Sequence, residues 1–190
     1  MRRTGGYATT GDLLRAGITR DQMRIMLGRN WIIPIKRGLF RSAHYPFAGH
    51  EEILDVSKLV PHGVICLLSA LYYHGMSERQ PEEYQVAVHR DGTKPVLPDH
   101  PPISLFYFST NQFETGPMAI DVLGNTVMIY DAEKTLCDCA RYEKKLGSDL
   151  VREGFLAYLR RPNRDIDKLL LYAKKTRALS LVMKYVEVLA

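Results

Sequence analysis

The sequence has few cysteines and no long apolar run. Its three cysteines, Cys66, Cys137 and Cys139, are an odd number and do not have the spacing of a four-ligand zinc site, so we expect buried, reduced thiols. No stretch reaches the roughly 18 apolar residues that a membrane span needs, and no apolar segment follows Arg2 and Arg3, as a secretion signal would require. We therefore expect a cytoplasmic protein with no bound metal and no membrane partner.

Sequence motifs of catalysis and cofactor binding are also missing. The six histidines lack the spacing of a helical metal site, and no phosphate-cradling glycine loop or dinucleotide fingerprint occurs. Asp121, Glu133 and Lys134 are residue types of a metal-dependent nuclease, but the adjacent Glu133 and Lys134 would point in different directions from a helix start. Ser69 lacks the glycine elbow of a nucleophilic serine. We expect no enzymatic activity and no cofactor.

Positive charge is concentrated at the amino-terminal end of the chain. Residues 1–41 contain nine Lys or Arg against only Asp12 and Asp21, a net charge of +7, whereas residues 42–190 contain 17 basic and 19 acidic side chains. A confined excess of this kind is typical of a phosphate-binding surface. The chain of 190 residues, 46% of them hydrophobic, is long enough for a folded core beside this small basic module.

The basic segment has the signals of two short helices joined by a tight turn. Thr9 and Asp12 have the spacing of a capping box, Gly17 can end the first helix, and Thr19 with Gln22 opens a second helix over roughly 20–29. The second helix would turn its methionines inward and its arginines outward, the arrangement of a recognition helix in a DNA major groove. Arginine there can pair with guanine, and Gln or Asn with adenine. The predicted DNA contacts of this segment are Thr19, Arg20, Gln22, Arg24, Arg29 and Asn30.

A hairpin is predicted directly after the second helix. The run WIIPIKRGLFR has two apolar segments around a Lys-Arg-Gly turn, and Pro34 restricts the first segment to a sheet edge. Lys36 and Arg37 would lie at the tip and contact the DNA backbone or minor groove. Residues 1–45 are therefore predicted to form a winged helix-turn-helix domain that binds double-stranded promoter DNA.

The remaining residues, 46–190, are predicted to form a second domain of α+β class. A surface helix near 50–60 precedes an apolar segment, Val64–Tyr73, that predicts a central buried helix in which Ser69 would bond to a backbone carbonyl. Strands are predicted at 84–90, 103–109, 117–123 and 125–130, the last two as a hairpin, and helices follow Asp131 to the end of the chain. This order favours a small mixed or antiparallel sheet with carboxyl-terminal helices. The proline-rich loop after the first strand carries Arg90 and Lys94 and could contact a partner or simply connect two strands.

The chain resembles a known bacterial family. The residues that carry the resemblance are GGYATTGDLLRAGITRDQMRIMLGRNWIIPIKRGLFR, VICLLSALYYHGMS, YQVAVHR and VMIYDAEKTLCDCAR. The first is similar to the winged helix of AbiEi antitoxins, and the others to the antitoxin domain of that family, so that the likeness spans roughly residues 5–175. The resemblance implies an antitoxin of a type IV toxin–antitoxin or abortive infection (phage defence) system. Such a protein represses its own operon at inverted repeats and counteracts a nucleotidyltransferase-like toxin, directly or functionally.

Two further expectations accompany this resemblance. Winged helices of this kind usually begin with a helix that packs behind the other two, whereas only MRRT precedes Gly5 here; without that helix, the apolar sides of the other two would lack a cover. If the toxin is contacted directly, the candidate residues are Arg141, Lys144, Lys145, Lys168, Lys174, Lys175 and Arg177, although a solvated helix face is the more common reason for such charges. The alternative function is a stand-alone, ligand-responsive transcriptional regulator whose second domain binds a small molecule.

Overall fold

The computed structural model describes Met1 and residues 4–189. Within these residues the chain has a mixed α+β fold with two sheets, as the sequence predicts. Arg2, Arg3 and Ala190, which the sequence analysis includes in its two domains, lie outside the described residues. The chain divides into two compact units. Unit 1 consists of Met1–Pro61, Pro95–Pro101 and Asp121–Val127, and unit 2 of His62–Lys94, Pro102–Ile120 and Met128–Ala190.

Unit 1 is built on a three-stranded antiparallel sheet with the strand order β1-β3-β2. Its elements are β1 (Tyr7–Thr9), α1 (Thr10–Arg15), α2 (Arg20–Gly28), β2 (Ile32–Lys36), β3 (Leu39–Ser42) and α3 (Glu51–Leu59). Strand β2 lies at the edge, where the missing N–H of Pro34 breaks no ladder. The predicted hairpin is therefore present, and the sheet also has a strand that the sequence analysis did not predict, β1.

Local hydrogen bonds explain why α1 and α2 begin and end where they do. Thr9 with Asp12, and Thr19 with Gln22, form complete capping boxes, as predicted. Gly17, at φ 82°, ends α1 in the left-handed conformation that glycine adopts without a steric penalty. The Asp12 carboxylate accepts hydrogen bonds from the hydroxyl and the backbone N–H of Thr9 and from Arg15. These bonds favour the charged form and lower the pKa of the Asp12 carboxyl to about 2.

The apolar sides of α1 and α2 are covered by the sheet. Leu13 of α1 and Met23 of α2 are buried with Ala8 of β1 and Ile32 of β2, and Met1 is among the partly buried residues packed against them. Strand β1 and the sheet thus supply part of the cover that the sequence analysis expected to be missing.

Helix α3 is fastened to the sheet of unit 1 through a buried carboxylate. The Tyr7 hydroxyl of β1 donates to Asp55 Oδ1 at 2.5 Å, and Arg41 of β3 donates to Asp55 Oδ2 at 2.6 Å. Burial raises the pKa of the Asp55 carboxyl, although both hydrogen bonds favour its charged form. Because Asp55 joins residues 48 and 14 positions away, unit 1 continues past residue 45, where the sequence analysis places its domain boundary.

Unit 2 contains most of a mixed five-stranded sheet. Its strands are β4 (Val64–Ile65), β5 (Tyr84–His89), β6 (Ile103–Phe108), β7 (Pro117–Val122) and β8 (Asn125–Tyr130). They lie in the order β6-β5-β4-β8-β7; β4 and β5 are antiparallel, whereas β4 with β8 and β5 with β6 are parallel. The turn end of the β7–β8 hairpin, Asp121–Val127, is grouped with unit 1. The helices are α4 (Leu67–Tyr73), α5 (Thr110–Phe113), α6 (Ala132–Arg141), α7 (Glu143–Leu146), α8 (Ser148–Leu159), α9 (Ile166–Lys175) and α10 (Leu179–Leu189).

The buried helix predicted over Val64–Tyr73 is present but shorter, and the predicted hydrogen-bond partner of Ser69 was wrong. Val64 and Ile65 form a strand because they pair with Ala87 and Val86 of β5, and the buried helix begins only at Leu67. The apolar pattern could not separate a buried strand from a buried helix. Ser69 does not donate to a carbonyl in this structure: its hydroxyl oxygen accepts the backbone N–H of Gln85 at 2.9 Å.

The core of unit 2 encloses an ion pair within helix α6. Lys134 and Asp138 are one turn apart, almost fully buried and hydrogen-bonded to each other. The Lys134 ammonium also lies 4.0 Å from the ring centroid of Tyr130 and 4.7 Å from that of Phe108. Burial raises the pKa of Asp138, against the effect of Lys134. These contacts place Lys134 in the core of unit 2.

Candidate nucleic-acid interface

Helix α2 presents two arginines along one exposed side. Arg20 and Arg24 are one turn apart, and both are exposed. Arg20 forms no ion pair within Met1 and 4–189. Arg24 lies 3.3 Å from Asp21, and both side chains are 82% exposed, so this pair contributes little and can open at small cost. Both guanidinium groups are therefore available to an anionic partner.

The outward face of α2 also contains an apolar side chain that the sequence analysis missed. Ile25 follows Arg24 and is 54% exposed, which is unusual for isoleucine. In a major groove, an apolar side chain can contact the methyl group of thymine. The signal was present in the sequence, because the helical spacing that turns Met23 inward turns Ile25 outward.

Thr19 and Gln22 lie at the start of α2 and are exposed, but their side chains already have structural partners. The Gln22 side-chain oxygen accepts the backbone N–H of Thr19 at 2.8 Å, and the Thr19 hydroxyl accepts the Gln22 N–H at 3.2 Å. Reading adenine requires both the oxygen and the nitrogen of a glutamine amide. Gln22 retains its amide N–H groups for DNA, while its oxygen is shared with the helix cap.

Asn30 and Arg29 follow the end of α2 and are also exposed. Asn30 adopts a left-handed conformation, φ 54°, and donates its backbone N–H to Leu27, so it helps to end the helix. The Arg29 guanidinium lies 5.1 Å from the ring centroid of Trp31, whose exposed fraction is 44%. Arginine and tryptophan thus form one exposed, stacked surface at this end of α2.

The two cations of the β2–β3 hairpin differ in their contacts. Lys36, the last residue of β2, donates to the carbonyl oxygen of Lys58 at 2.6 Å, in the last turn of α3. That carbonyl has no partner within its own helix, so Lys36 satisfies it. Arg37 lies in the turn, is exposed, and forms no ion pair among the described residues. The structure therefore leaves Arg37 freer than Lys36 to contact DNA.

The other described cations of residues 1–41 are each paired with a carboxylate. Arg41 is held by the buried Asp55, and its side chain is only 16% exposed. Arg15 pairs with Asp12, but the arginine is 78% exposed. The positive surface of unit 1 is thus formed mainly by Arg20, Arg24, Arg29 and Arg37, with Arg15 nearby in sequence.

The candidate toxin-contacting residues of unit 2 differ in whether their charges are paired, exposed or directed to a shared cavity. Lys168 lies 3.0 Å from Asp131 and 2.9 Å from Glu133, so its charge is compensated. Partial burial disfavours its charged form, but these hydrogen bonds hold the pKa of Lys168 above its ordinary value. Lys144 and Lys174 are exposed, and Lys145 lies 4.2 Å from the ring centroid of Phe106. Arg141, Lys175 and Arg177 line one cavity together.

The remaining candidates for metal or catalytic chemistry have structural contacts. Asp121 caps the hairpin turn by accepting the N–H of Gly124, and Glu133 accepts hydrogen bonds from Tyr158 and Lys168. Among the described residues, no group of three or more His, Cys, Asp or Glu could hold a metal ion. The three cysteines are free and buried, as predicted, and burial raises the pKa of each thiol. No helix in the described part of the chain has the length and apolar character to cross a membrane.

Comparison with known proteins supports the fold class. No family model and no curated protein matches the chain. Among solved structures, the chain is similar to the crystal structure of the RV2827C protein from Mycobacterium tuberculosis, with a TM-score of 0.53 and 16% identity. The similarity covers 95% of this chain and 75% of that chain. At this identity the likeness concerns the fold alone, which is of α+β class.

Proposed function

We propose that this protein binds double-stranded DNA through the surface of unit 1 formed by α2 and the β2–β3 hairpin. The observation that carries the proposal is the exposure of Arg20 and Arg24 on α2, of Arg29 at its end and of Arg37 in the hairpin turn; among the described residues, only the exposed Asp21 pairs with one of these arginines. A helix of this size fits a major groove, and an adjacent hairpin can reach the flanking backbone or minor groove. Arg20 and Arg24 are the side chains that can reach bases, while Arg37 contacts phosphate.

The proposed biological role is that of an AbiEi-type antitoxin. In this role, unit 1 binds inverted repeats in the promoter and represses the operon. The rest of the chain counteracts a nucleotidyltransferase-like toxin encoded beside it. The role is supported by the sequence resemblance over roughly residues 5–175 and by the position of these exposed arginines within unit 1.

DNA binding is tested by fluorescence anisotropy with the full chain and the duplex immediately upstream of its gene. We expect affinity to fall steeply between about 50 and 200 mM salt. Arg24→Ala should weaken binding to this duplex by about 1 to 3 kcal/mol and to a shuffled duplex by less. Arg160→Ala removes an exposed arginine from unit 2 and serves as the charge-matched control. Equal losses on both duplexes would make Arg24 a phosphate contact, and no binding to either would refute the proposal.

The antitoxin role is tested by co-expression with the adjacent gene. The full chain should restore growth to cells that express a toxic neighbour. The variant Arg20→Gln/Arg24→Gln/Arg29→Gln should still restore growth but no longer repress a reporter fused to the promoter. Failure of the unsubstituted chain to restore growth, with a neighbour shown to be toxic, would contradict this role while leaving DNA binding intact.

A ligand-responsive regulator is the second candidate function. The specific observation in its favour is the cavity of unit 2 that Arg141, Lys175 and Arg177 line. This function requires that a small molecule change the affinity for promoter DNA, because a ligand shifts an equilibrium only through different affinities for two states. It is tested by repeating the anisotropy titration with saturating tripolyphosphate, an anion that suits this cationic lining; an unchanged affinity for DNA would contradict it.

A further inference from the structure

A cavity of about 480 Å³ in unit 2 is lined by cations without compensating carboxylates. Arg90 follows β5, Arg141 ends α6, and Lys175 and Arg177 lie at the end of α9. Among the described residues, no Asp or Glu lines this cavity. Four cations that share one recess repel one another, so an anion that enters gains their combined attraction.

A second cavity in the same unit shows that this lining is not a general property of its surface. It is larger, about 570 Å³, and its wall contains Arg152 and Arg160 together with Glu78, Asp149 and Glu153. Acidic and basic side chains there compensate each other. Of these two cavities, only the first is lined by charges of a single sign, and its positive charges favour an anionic ligand.

Arg141 is fixed in the wall of the first cavity and has an unused donor. It donates to the backbone carbonyl of Thr176, just past the end of α9. Its Nε atom is buried and has no hydrogen-bond partner within Met1 and 4–189. A buried guanidinium N–H without an acceptor costs free energy, so the position of Arg141 in this wall is not explained by its internal hydrogen bonds alone.

The backbone of Arg177 provides an independent observation. This residue has φ 58°, the left-handed conformation that ends α9, and its N–H donates to Lys174 while that of Ala178 donates to Ala173. Glycine is the usual residue at this position because a Cβ atom is strained there. The chain has arginine instead, and its side chain lines the cavity. A non-glycine residue held in this conformation at a cavity is a candidate for a binding role.

From this geometry we infer that the cavity, formed by Arg90, Arg141, Lys175, Arg177 and the segment 109–112, binds a small polyphosphate, a nucleoside triphosphate. Its volume is in the range of small-molecule sites. Four cations match a chain of adjacent phosphates better than a single phosphate. Within 109–112, the exposed Asn111 can hydrogen-bond a ribose or base. All residues of this site belong to unit 2, whereas those of the proposed DNA surface belong to unit 1.

Isothermal titration of the full chain with tripolyphosphate, ATP, GTP and inorganic phosphate tests the inference. We expect tripolyphosphate and at least one nucleotide to bind at least about tenfold more tightly than inorganic phosphate, since several charge-assisted contacts form at once. No measurable binding of either would overturn the inference. So would binding of a single-stranded oligonucleotide with no binding of these small molecules, because the cavity would then recognise a polymer.

Two variants distinguish binding in the cavity from unspecific attraction by surface charge. Lys175→Gln should weaken tripolyphosphate binding about tenfold, whereas Lys174→Gln, its exposed neighbour outside the cavity lining, should bind like the unsubstituted protein. Equal losses in both variants would mean unspecific attraction and would overturn the inference.

Arg177→Gly is the most informative variant because it removes the cavity-lining side chain and, at the same time, the backbone strain at φ 58°. We expect the melting temperature to stay the same or rise, while the affinity for tripolyphosphate falls about tenfold. A lower affinity therefore cannot be explained by unfolding. Unchanged affinity in a stable Arg177→Gly protein would show that the guanidinium takes no part, and the inference would fail.

Discussion

The two units place positive charge in different surroundings. In unit 1, Arg20 and Arg24 project from the outward side of a helix. In unit 2, Arg141 and Arg177 line a recess of about 480 Å³. An outward helix face can enter the groove of a duplex, whereas a recess admits only a small ligand or a chain end. The same residue types therefore suit different anions, and the shape of the surrounding surface decides which.

Asp55 of unit 1 and Asp138 of unit 2 are both buried carboxylates, but their hydrogen-bond partners lie at different distances along the chain. Asp55 takes its hydrogen bonds from Tyr7 and Arg41, on two other elements of unit 1. Asp138 takes its hydrogen bond from Lys134 of the same helix. Asp55 thus fastens three elements together, whereas the ion pair of Asp138 lies within α6 and is enclosed by the rings of Phe108 and Tyr130.

The largest effect is expected in the core of unit 2. Lys134→Met should lower the free energy of unfolding by about 3 to 5 kcal/mol, because Asp138 would remain buried without its counter-charge. The double variant Lys134→Met/Asp138→Leu should recover most of this loss, since neither charge remains. Urea denaturation of both variants measures the difference. If the double variant is as unstable as the single one, the loss comes from packing and not from an unpaired charge.

A loss of about 3 kcal/mol is expected for Asp55→Ala, which leaves the largely buried Arg41 without its carboxylate. Because Asp55 joins β1, β3 and α3, this variant should also lose affinity for duplex DNA while it still binds tripolyphosphate. The matched control is Glu52→Ala on the same helix, whose pairing with His100 at 3.5 Å is exposed. Loss of tripolyphosphate binding in Asp55→Ala would show that the two units do not fold independently.

The free energy of unfolding should depend on pH through the Glu133–Lys168 pair of unit 2. Burial opposes the ionised Glu133 carboxyl, but hydrogen bonds from Lys168 and Tyr158 hold its pKa below the ordinary value. A carboxyl with a lowered native pKa contributes stability that is full above the ordinary pKa of about 4.3 and is lost as the pH falls through the native value. Glu133→Gln should therefore remove about 1 to 2 kcal/mol at neutral pH and less in acid. Thermal unfolding across this pH range measures the change, and parallel pH profiles for both proteins would contradict the assignment.

The smallest effect concerns the two cations of the hairpin in unit 1. Arg37→Gln should reduce the slope of log affinity for DNA against log salt by about 0.9, the value for one phosphate contact. Lys36→Met should change this slope less, because its ammonium is engaged by the Lys58 carbonyl, and should instead lower stability by about 1 kcal/mol. Equal slopes for the two variants would mean that Lys36 leaves Lys58 when DNA binds.

Local signals predicted much of the fold correctly. The capping boxes at Thr9 and Thr19 involve residues three positions apart, so the sequence contains both partners within one helical turn. The β7–β8 hairpin and the cap at Asp131 are equally local. In contrast, β1 and β4 are three and two residues long, and each is a strand only because of a distant partner.

Much of the candidate site depends on contacts that the sequence does not contain locally. The exposure of Arg20 and Arg24 could be predicted from helical spacing. The ion pair of Arg41 with Asp55 and the hydrogen bond of Lys36 to the Lys58 carbonyl could not. The cavity of unit 2 brings Arg90 and Arg177 together from positions 87 residues apart. Periodicity shows which side of an element is exposed, but tertiary packing decides which charges remain free.

The most direct test measures the affinity of the full chain for its upstream duplex as a function of salt, with and without Arg20→Gln/Arg24→Gln/Arg37→Gln. We predict a steep linear decrease of log affinity with log salt for the unsubstituted protein. The triple variant should have a slope smaller by up to about 2.7, or 0.9 for each arginine that contacts a phosphate. An unchanged slope in a folded triple variant would contradict the claim that the surface formed by α2 and the hairpin binds DNA.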